Sequence, residues 1–193
     1  GSGNDHINIE SIVGFASISG DAGSDLIAAS VVSGSIIISG GSDTSNDRVS
    51  IETVSGLASI EGGSGNDFIS IASSSYRTQI NYSNGDGSDK VYGFDTNDIF
   101  YVTSGKISRD VRSGSNRILT IGSGKVTLIG VGSKSLDIRQ QSYATKAKSS
   151  ISGGSYNDLI YSNGYSSLTL SGGNGNDSIH SYANRNRILG GNG

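Results

Sequence analysis

Seven aspartates that recur at a nearly constant spacing are the residues best suited to chemistry in this sequence. Successive members are 20, 22, 20 and 22 residues apart, then 69, then 19. Most follow a run of Gly, Ser or Asn, as in "EGGSGNDFIS" at 61–70. A carboxylate beside a glycine turn that aims backbone carbonyls at one point offers the oxygen ligands preferred by Ca²⁺. The aspartates are Asp5, Asp25, Asp47, Asp67, Asp89, Asp158 and Asp177.

Two apolar columns indicate the elements that must position these aspartates. One column lies two residues after each Asp and consists of Ile7, Ile27, Val49, Ile69, Val91, Ile160 and Ile179. The other precedes each glycine turn and consists of Ile18, Ile38, Ile60, Tyr82, Ile151, Leu170 and Ile188. Two columns per period of about 20 residues predict two short strands per period. The expected fold is an all-β parallel β-roll or β-solenoid, in which neighbouring coils bury each other's apolar faces.

Stacking such coils would place the aspartates in a ladder. Parallel strands lie about 4.8 Å apart, and two carboxylates about 5 Å apart repel by roughly 0.8 kcal/mol even in water. A cation between them would remove that repulsion. Oxygen-only ligands in a flexible turn suit Ca²⁺ better than Mg²⁺, which demands a tighter octahedron. We therefore expect several bound Ca²⁺ ions.

Two stretches, "GGSGNDFIS" and "GGNGNDSIH", match the pattern GGxGxDxUx at every specified position, where U is a large aliphatic residue. The chain thus resembles the RTX (repeats-in-toxin) calcium-binding β-roll family. The resemblance implies Ca²⁺ held between stacked turns, type I secretion of the unfolded chain, and folding outside the cell. The glycines expected to form the metal-binding turns are Gly3, Gly20, Gly23, Gly62, Gly63, Gly65, Gly85, Gly87, Gly153, Gly172, Gly173 and Gly175.

Other repeats depart from the pattern. Asn84 and Asp21 each replace a glycine, Tyr156 stands where a third is expected, and "GGSDTSNDRVS" has two extra residues, which weakens the prediction at Asp47. Only one turn per coil carries the motif, so the calcium ladder should be one-sided, with a polar or packed turn opposite. The competing interpretation is ordinary turn chemistry for each Asp, which seven aspartates in register disfavour.

Residues 92–149 lack the motif and separate two segments of calcium-binding coils, 1–91 and 150–193. The gap of 69 residues fits either three degenerate coils or an inserted β segment, and residues 117–131 are expected to form a hairpin around "GSGK". We favour an insertion or distorted coils without calcium.

Several function classes are disfavoured. The net charge of −3 gives no support for binding nucleic acid, and no apolar run is long enough to insert into a membrane. Without Cys, and with only His6 and His180, neither a thiolate site nor a histidine-based metal site can form. No catalytic constellation is recognisable, so we expect no enzyme activity. Tyr161, Tyr165 and Tyr182 could form a sugar-stacking patch, although scattered exposed tyrosines are commoner.

The sequence therefore predicts a calcium-stabilised structural segment of a large extracellular bacterial protein, such as a stalk, spacer, surface or filament element. The alternative is the secretion and folding domain of a type I-secreted toxin or enzyme, and a polysaccharide-active β-helix is a weaker one. The apolar columns run to both ends of the chain, so we expect coils to continue in a longer polypeptide or by head-to-tail self-association.

Overall fold

The computed structural model describes residues 1–147 and 149–193 as short β-strands joined by tight turns. Neither range contains a helix, which confirms the predicted all-β class. No helix that could span a membrane is therefore found in these two ranges. Lys148, in the predicted middle segment, lies outside the described residues. The strands are β1 (His6–Ile12), β2 (Phe15–Asp21), β3 (Leu26–Val32), β4 (Ser35–Gly41), β5 (Arg48–Val54), β6 (Leu57–Gly63), β7 (Phe68–Ser74), β8 (Thr78–Tyr82), β9 (Ser88–Tyr92), β10 (Ile99–Val102), β11 (Ile107–Ser113), β12 (Asn116–Ile121), β13 (Gly124–Leu128), β14 (Asp137–Tyr143), β15 (Ser150–Gly154), β16 (Asn157–Tyr161), β17 (Thr169–Asn174), β18 (Ser178–His180) and β19 (Arg187–Asn192).

The first of two compact units comprises residues 1–100 and 106–137. One of its sheets has the strand order β1-β3-β5-β7-β9-β13-β12-β11, and in the other β2, β4, β6 and β8 are neighbours in that order. The pairs among β1 to β9 are parallel and in register, so that Ile27 pairs with Val49 and Val49 with Ile69. Each coil is a strand, a turn, a second strand and a second turn, and the unit is the predicted parallel β-solenoid.

Alternation of side chains along each strand places the aliphatic columns inside this unit. Ile38 and Ile60 pair directly and are fully buried. The structure corrects one member of the predicted column, because Ile60 pairs with Ile80 and not with Tyr82. Ile80 precedes Asp89 by nine residues, whereas Ile60 precedes Asp67 by seven, and Tyr82 lies in the core beside the motif turns, 2% exposed. Counting back two positions from the first motif residue therefore misplaced this one member of the column by two residues.

The middle of the chain combines a hairpin with a return to the solenoid. β12 and β13 form the antiparallel hairpin expected around "GSGK", and β13 then pairs in parallel with β9. The sequence did not predict β11, which pairs antiparallel with β12 at the edge of the sheet. This edge strand is charged, and its Asp110 forms a two-bond salt bridge with Arg117 of β12. Charged side chains on an edge strand oppose pairing with another chain.

The second unit comprises residues 101–105 and 138–193. Its strands form two parallel sets, β14-β16-β18 and β15-β17-β19, again with one strand from each set per coil. On the outer face of the first set, Tyr143, Tyr161 and His180 pair in register. Their rings stack, with centroids 5.2 and 4.9 Å apart. Tyr161 is thus part of a row of stacked rings and not one of several scattered tyrosines.

Candidate metal centre

The aspartates of successive coils form a hydrogen-bonded ladder in each unit. In every step the backbone N–H of one Asp donates to Oδ1 of the Asp in the next coil along the chain. The pairs are Asp5 to Asp25 (2.7 Å), Asp25 to Asp47 (2.8 Å), Asp47 to Asp67 (2.8 Å), Asp67 to Asp89 (2.9 Å) and Asp158 to Asp177 (2.9 Å). The ladder thus brings together all seven aspartates of the sequence prediction, in two groups.

The second carboxylate oxygen of several rungs is buried and unsatisfied. Oδ2 of Asp25, Asp47, Asp67 and Asp177 has no hydrogen-bond partner among the described residues. The first three side chains belong to residues no more than 3% exposed. A buried carboxylate oxygen without a partner costs several kcal/mol, unless it is protonated or faces a cation. The lack of hydrogen-bond partners for these buried oxygens is the feature of the fold that most directly indicates a metal.

The first glycine of each motif has no side chain and so leaves the space that this oxygen faces. We call this space a glycine cradle. At Gly62 a Cβ atom would overlap the carboxylate of Asp67, so any larger residue would displace it. At Gly40 a Cβ would overlap both Oδ2 of Asp47 and the carbonyl oxygen of Gly62, which shows that a carboxylate and a carbonyl from adjacent coils converge there. The same convergence on the next coil's carbonyl recurs at Gly20, Gly153 and Gly172.

Most of the remaining predicted glycines serve the close stacking of coils. A Cβ at any of them would overlap a backbone carbonyl of the preceding coil. This group consists of Gly23, Gly63, Gly65, Gly87, Gly173 and Gly175. Gly3 and Gly85 are different, because no described atom lies within 4 Å of the Cβ that either would carry. Gly87 forms a β-bridge with Gly65 in the preceding coil. Gly87, rather than Gly85, therefore continues the stack of motif turns.

Burial dominates the electrostatics of the aspartate ladder. Desolvation raises the pKa of Asp67 to about 7, partly opposed by the hydrogen bond from Asp47 and reinforced by the Asp47 charge. Desolvation likewise raises the pKa of Asp89 to about 8, with the charge of Asp67 adding to it. Near neutral pH, burial therefore disfavours the charged form of these two carboxylates. A bound cation would stabilise that form.

The donor set fits Ca²⁺. At Gly20, Gly40, Gly153 and Gly172 a carboxylate oxygen and a backbone carbonyl oxygen of the next coil converge, and both are oxygen ligands. The described residues contain no cluster of three or more His, Cys, Asp or Glu side chains that could hold a metal. Ca²⁺ accepts six to eight oxygens, carbonyls included, in flexible geometry. The Asp carboxylates and the carbonyls of the motif glycines would hold the ion and join adjacent coils.

Neutral side chains close the ladder at one end of each unit. Tyr82 occupies the place that Gly62 has one coil earlier, and its hydroxyl donates a 2.6 Å hydrogen bond to the carbonyl of Gly87. In the second unit the buried Gln140 donates from Nε2 to the carbonyl of Gly153 at 2.6 Å. Each of these side chains donates a hydrogen bond to a carbonyl of a motif glycine. The series of glycine cradles therefore ends at Tyr82 in the first unit and at Gln140 in the second.

The opposite turns that follow β1, β3, β5 and β7 carry no carboxylate, whereas the turn after β9 carries Asp95 and the buried Asp98, whose Oδ1 accepts a 2.8 Å hydrogen bond from the backbone N–H of Thr78. In the turns without a carboxylate, the hydroxyl groups of Ser33, Ser55 and Ser75 each donate to a carbonyl of the preceding coil. Gly34 and Gly56 stack so closely on the preceding coils that a Cβ would overlap a carbonyl oxygen. The turns that follow β1, β3, β5 and β7 therefore offer no charge to a metal.

Two features of the site escaped sequence reasoning. Gly40 was not assigned to a site, although it forms the same cradle as Gly20 and Gly62. The two extra residues after it do not displace Asp47, which remains in register in the ladder. Asp43, within this longer turn, approaches the ladder as well. The signal that could have found it is the insertion itself, because the added residues include a carboxylate.

Comparison with protein families agrees with the geometry. A model of the RTX calcium-binding nonapeptide repeat matches the chain in four copies, over residues 59–70, 85–106 and 169–193. These ranges include Asp67, Asp89 and Asp177. The chain therefore carries RTX calcium-binding repeats, as its motifs indicated. No curated protein was found to match the sequence.

Proposed function

We propose that this chain of RTX calcium-binding repeats is a non-enzymatic structural segment of a large extracellular bacterial protein, which folds into its solenoid when it meets Ca²⁺ outside the cell. In that role it acts as a stalk, spacer, surface or matrix element. Its role is mechanical. The number of repeats sets the length of the stack of coils, and bound calcium sets its stability.

The observation that carries this proposal is the row of buried carboxylate oxygens without partners in the described structure, at Asp25, Asp47, Asp67 and Asp177. Folding the chain without a cation buries these oxygens against one another at an electrostatic cost. Supplying the ion removes that cost, and because the site does not exist in the unfolded chain, the binding free energy becomes folding free energy.

Calcium levels support the extracellular assignment. Extracellular calcium-binding modules typically have dissociation constants of about 10⁻⁴–10⁻³ M. Sites of that affinity stay empty where calcium is scarce and fill where it is abundant. A chain built this way remains unfolded inside the cell and becomes rigid after export, in line with the secreted bacterial proteins in which RTX repeats typically occur.

The test is a calcium titration of the metal-free chain. Circular dichroism should show little sheet in the presence of a chelator and a cooperative gain of sheet as Ca²⁺ is added. Calorimetry should give several ions per chain. Mg²⁺ at the same concentration is the control, and it should restore much less structure because it tolerates carbonyl-rich sites poorly. A chain that keeps its full sheet signal in chelator, with no heat of calcium binding, would refute the proposal.

A further inference from the structure

The sheet with the strand order β1-β3-β5-β7-β9-β13-β12-β11 presents positive side chains on its outer face. Along its strands, buried aliphatic residues such as Val91 alternate with residues that face outward. Four cationic side chains share the outer face between β5 and β11, and all four are exposed. We call them the basic strip, which consists of Arg48 on β5, Lys90 on β9, Lys125 on β13 and Arg109 on β11.

Backbone pairing aligns the basic strip across the sheet. Arg48 and Lys90 both pair with the same residue of β7, which lies between their strands. Lys125 and Arg109 likewise both pair with one residue of β12, and β9 is the neighbour of β13. With neighbouring strands about 4.8 Å apart, the strip extends over about 24 Å from β5 to β11. It therefore crosses the strands, in the direction that a linear polymer lying along the stack of coils would follow.

No acidic side chain neutralises the basic strip. The outward-facing residues of β7, β9, β13 and β12 include no Asp or Glu, and Asp110 of β11 lies on the opposite face, where it binds Arg117. Among the described residues, no salt bridge involves a member of the strip. The nearby Asp47 and Asp89 are buried on the inner side, and bound Ca²⁺ would offset their charge. Four positive charges on one face without a counter-charge attract anions.

Two aromatic rings lie within the basic strip. The guanidinium carbon of Arg48 lies 4.1 Å from the centre of the Phe68 ring, and the ring of Tyr92 lies 4.9 Å from the same ring. The cation–π contact holds the guanidinium in place, so less entropy is lost when it binds an anion. Tyr92 remains 38% exposed. Its ring offers an apolar face and a hydroxyl group beside Lys90, a combination that suits a sugar ring carrying an acid.

We propose that the basic strip binds a linear polysaccharide that carries a carboxylate on alternate sugars. Four cations over about 24 Å give roughly one charge per 6 Å, whereas double-stranded DNA carries one negative charge per about 1.7 Å. Residues 1–87 hold ten Asp and Glu but two Lys and Arg, so the same unit repels a densely charged polyanion. A polymer with neutral sugars between its carboxylates matches the sparse charge of the strip. Such binding goes beyond the structural role proposed above, because it would attach the stack of coils to an acidic glycan.

The test uses the full chain in saturating Ca²⁺ and fluorescent hyaluronan oligosaccharides, which carry one carboxylate per disaccharide. Fluorescence anisotropy measures the affinity. The double variant Lys90→Gln, Lys125→Gln should weaken binding about tenfold or more. The matched control is Arg77→Gln, Lys134→Gln, which removes the same charge from two exposed turn residues and should stay within about twofold of the parent. The affinity of the parent should also fall as NaCl is added, because salt screens exposed charges.

Several outcomes would overturn the proposal. They are a parent that does not bind hyaluronan, one that binds neutral dextran equally well, and one that binds single-stranded DNA more tightly at the same salt concentration. An unchanged affinity of the strip variant, or an equal loss in the control, would overturn it as well.

Carbodiimide coupling of the parent to hyaluronan decides the matter should the strip variant fail to fold, because it joins a carboxylate to a lysine amine in contact with it. Coupling at Lys90 and Lys125, located by mass spectrometry, supports the strip, and coupling at other lysines alone overturns it. Circular dichroism reports calcium-dependent folding separately, so a failure of glycan binding would leave the proposed function standing.

Discussion

The backbone N–H of Asp47 donates a 2.8 Å hydrogen bond to Oδ1 of Asp67, one coil further along the solenoid. Oδ2 of the same Asp67 carboxylate is buried without a partner in the described structure. One residue thus fastens two coils through one oxygen and leaves the other for a cation. The same division of roles recurs at Asp25 and Asp47, so cohesion of the coils and metal binding depend on the same side chains.

Replacing Asp67 by Asn should lower calcium affinity and the stability of the calcium-bound chain. The amide keeps an oxygen that can accept the hydrogen bond from Asp47, but it removes the charge that faces the ion. We expect calcium affinity at this site to fall about tenfold or more, measured by calorimetry. The control is Glu52→Gln on the outer face of β5, which removes an exposed charge and should have no effect. Equal losses in the two variants would indicate a general charge effect.

The calcium-free chain should become more stable on acidification. The folded pKa values of Asp67 and Asp89, about 7 and about 8, exceed the ordinary Asp value of 3.8. Between about pH 4 and 8 the folded state therefore binds more protons than the unfolded state, and stability falls as pH rises through that window. Circular dichroism in chelator at pH 5 and pH 8 would check this, with more sheet expected at pH 5. Saturating calcium should weaken or reverse the trend, because the ion competes with the protons; a calcium-free stability that rises with pH would contradict the expectation.

Replacing Gly62 by Ala should disrupt the site sterically. The added Cβ would overlap the Asp67 carboxylate and force it out of the ladder. We expect a loss of about 1–3 kcal/mol in stability, together with weaker calcium binding. Gly14→Ala is the matched control on the opposite row of turns, where no described atom lies within 4 Å of the new methyl group. Thermal unfolding in calcium would compare the two, and similar melting temperatures would contradict the cradle geometry.

The region around β12 and β13 should retain the most protection when calcium is removed. These two strands bury apolar side chains, among them Leu119, Ile121 and Val126, and contain no carboxylate. Hydrogen exchange followed by mass spectrometry in chelator should show slower exchange in β12 and β13 than in β1 to β6. In saturating calcium the difference should shrink. Uniform exchange across the chain in chelator would show that the first unit unfolds as a single block.

Much of the site could be read from the sequence because it repeats. The spacing of Asp25, Asp47 and Asp67 and the aliphatic residue two positions after each one are local features of the chain. Stacked parallel coils are the fold that places such a period in register, so the ladder and its one-sidedness followed. The oxygen-only donor set, and hence the preference for Ca²⁺, depends on residue type alone.

The atoms that each coil presents to the next were decided by tertiary structure. The sequence placed Tyr82 in an aliphatic column, whereas the sheet aligns Ile80 there and uses Tyr82 to close the ladder. It treated the long turn before Asp47 as a defect, whereas the turn absorbs two residues outside the strands and leaves Asp47 in register in the ladder. The physical reason is that extra residues in a turn change the sequence spacing between two motifs but leave the pairing of the strands unchanged. Registry between residues 20 or more positions apart is set by backbone pairing and burial across coils, which no local pattern specifies.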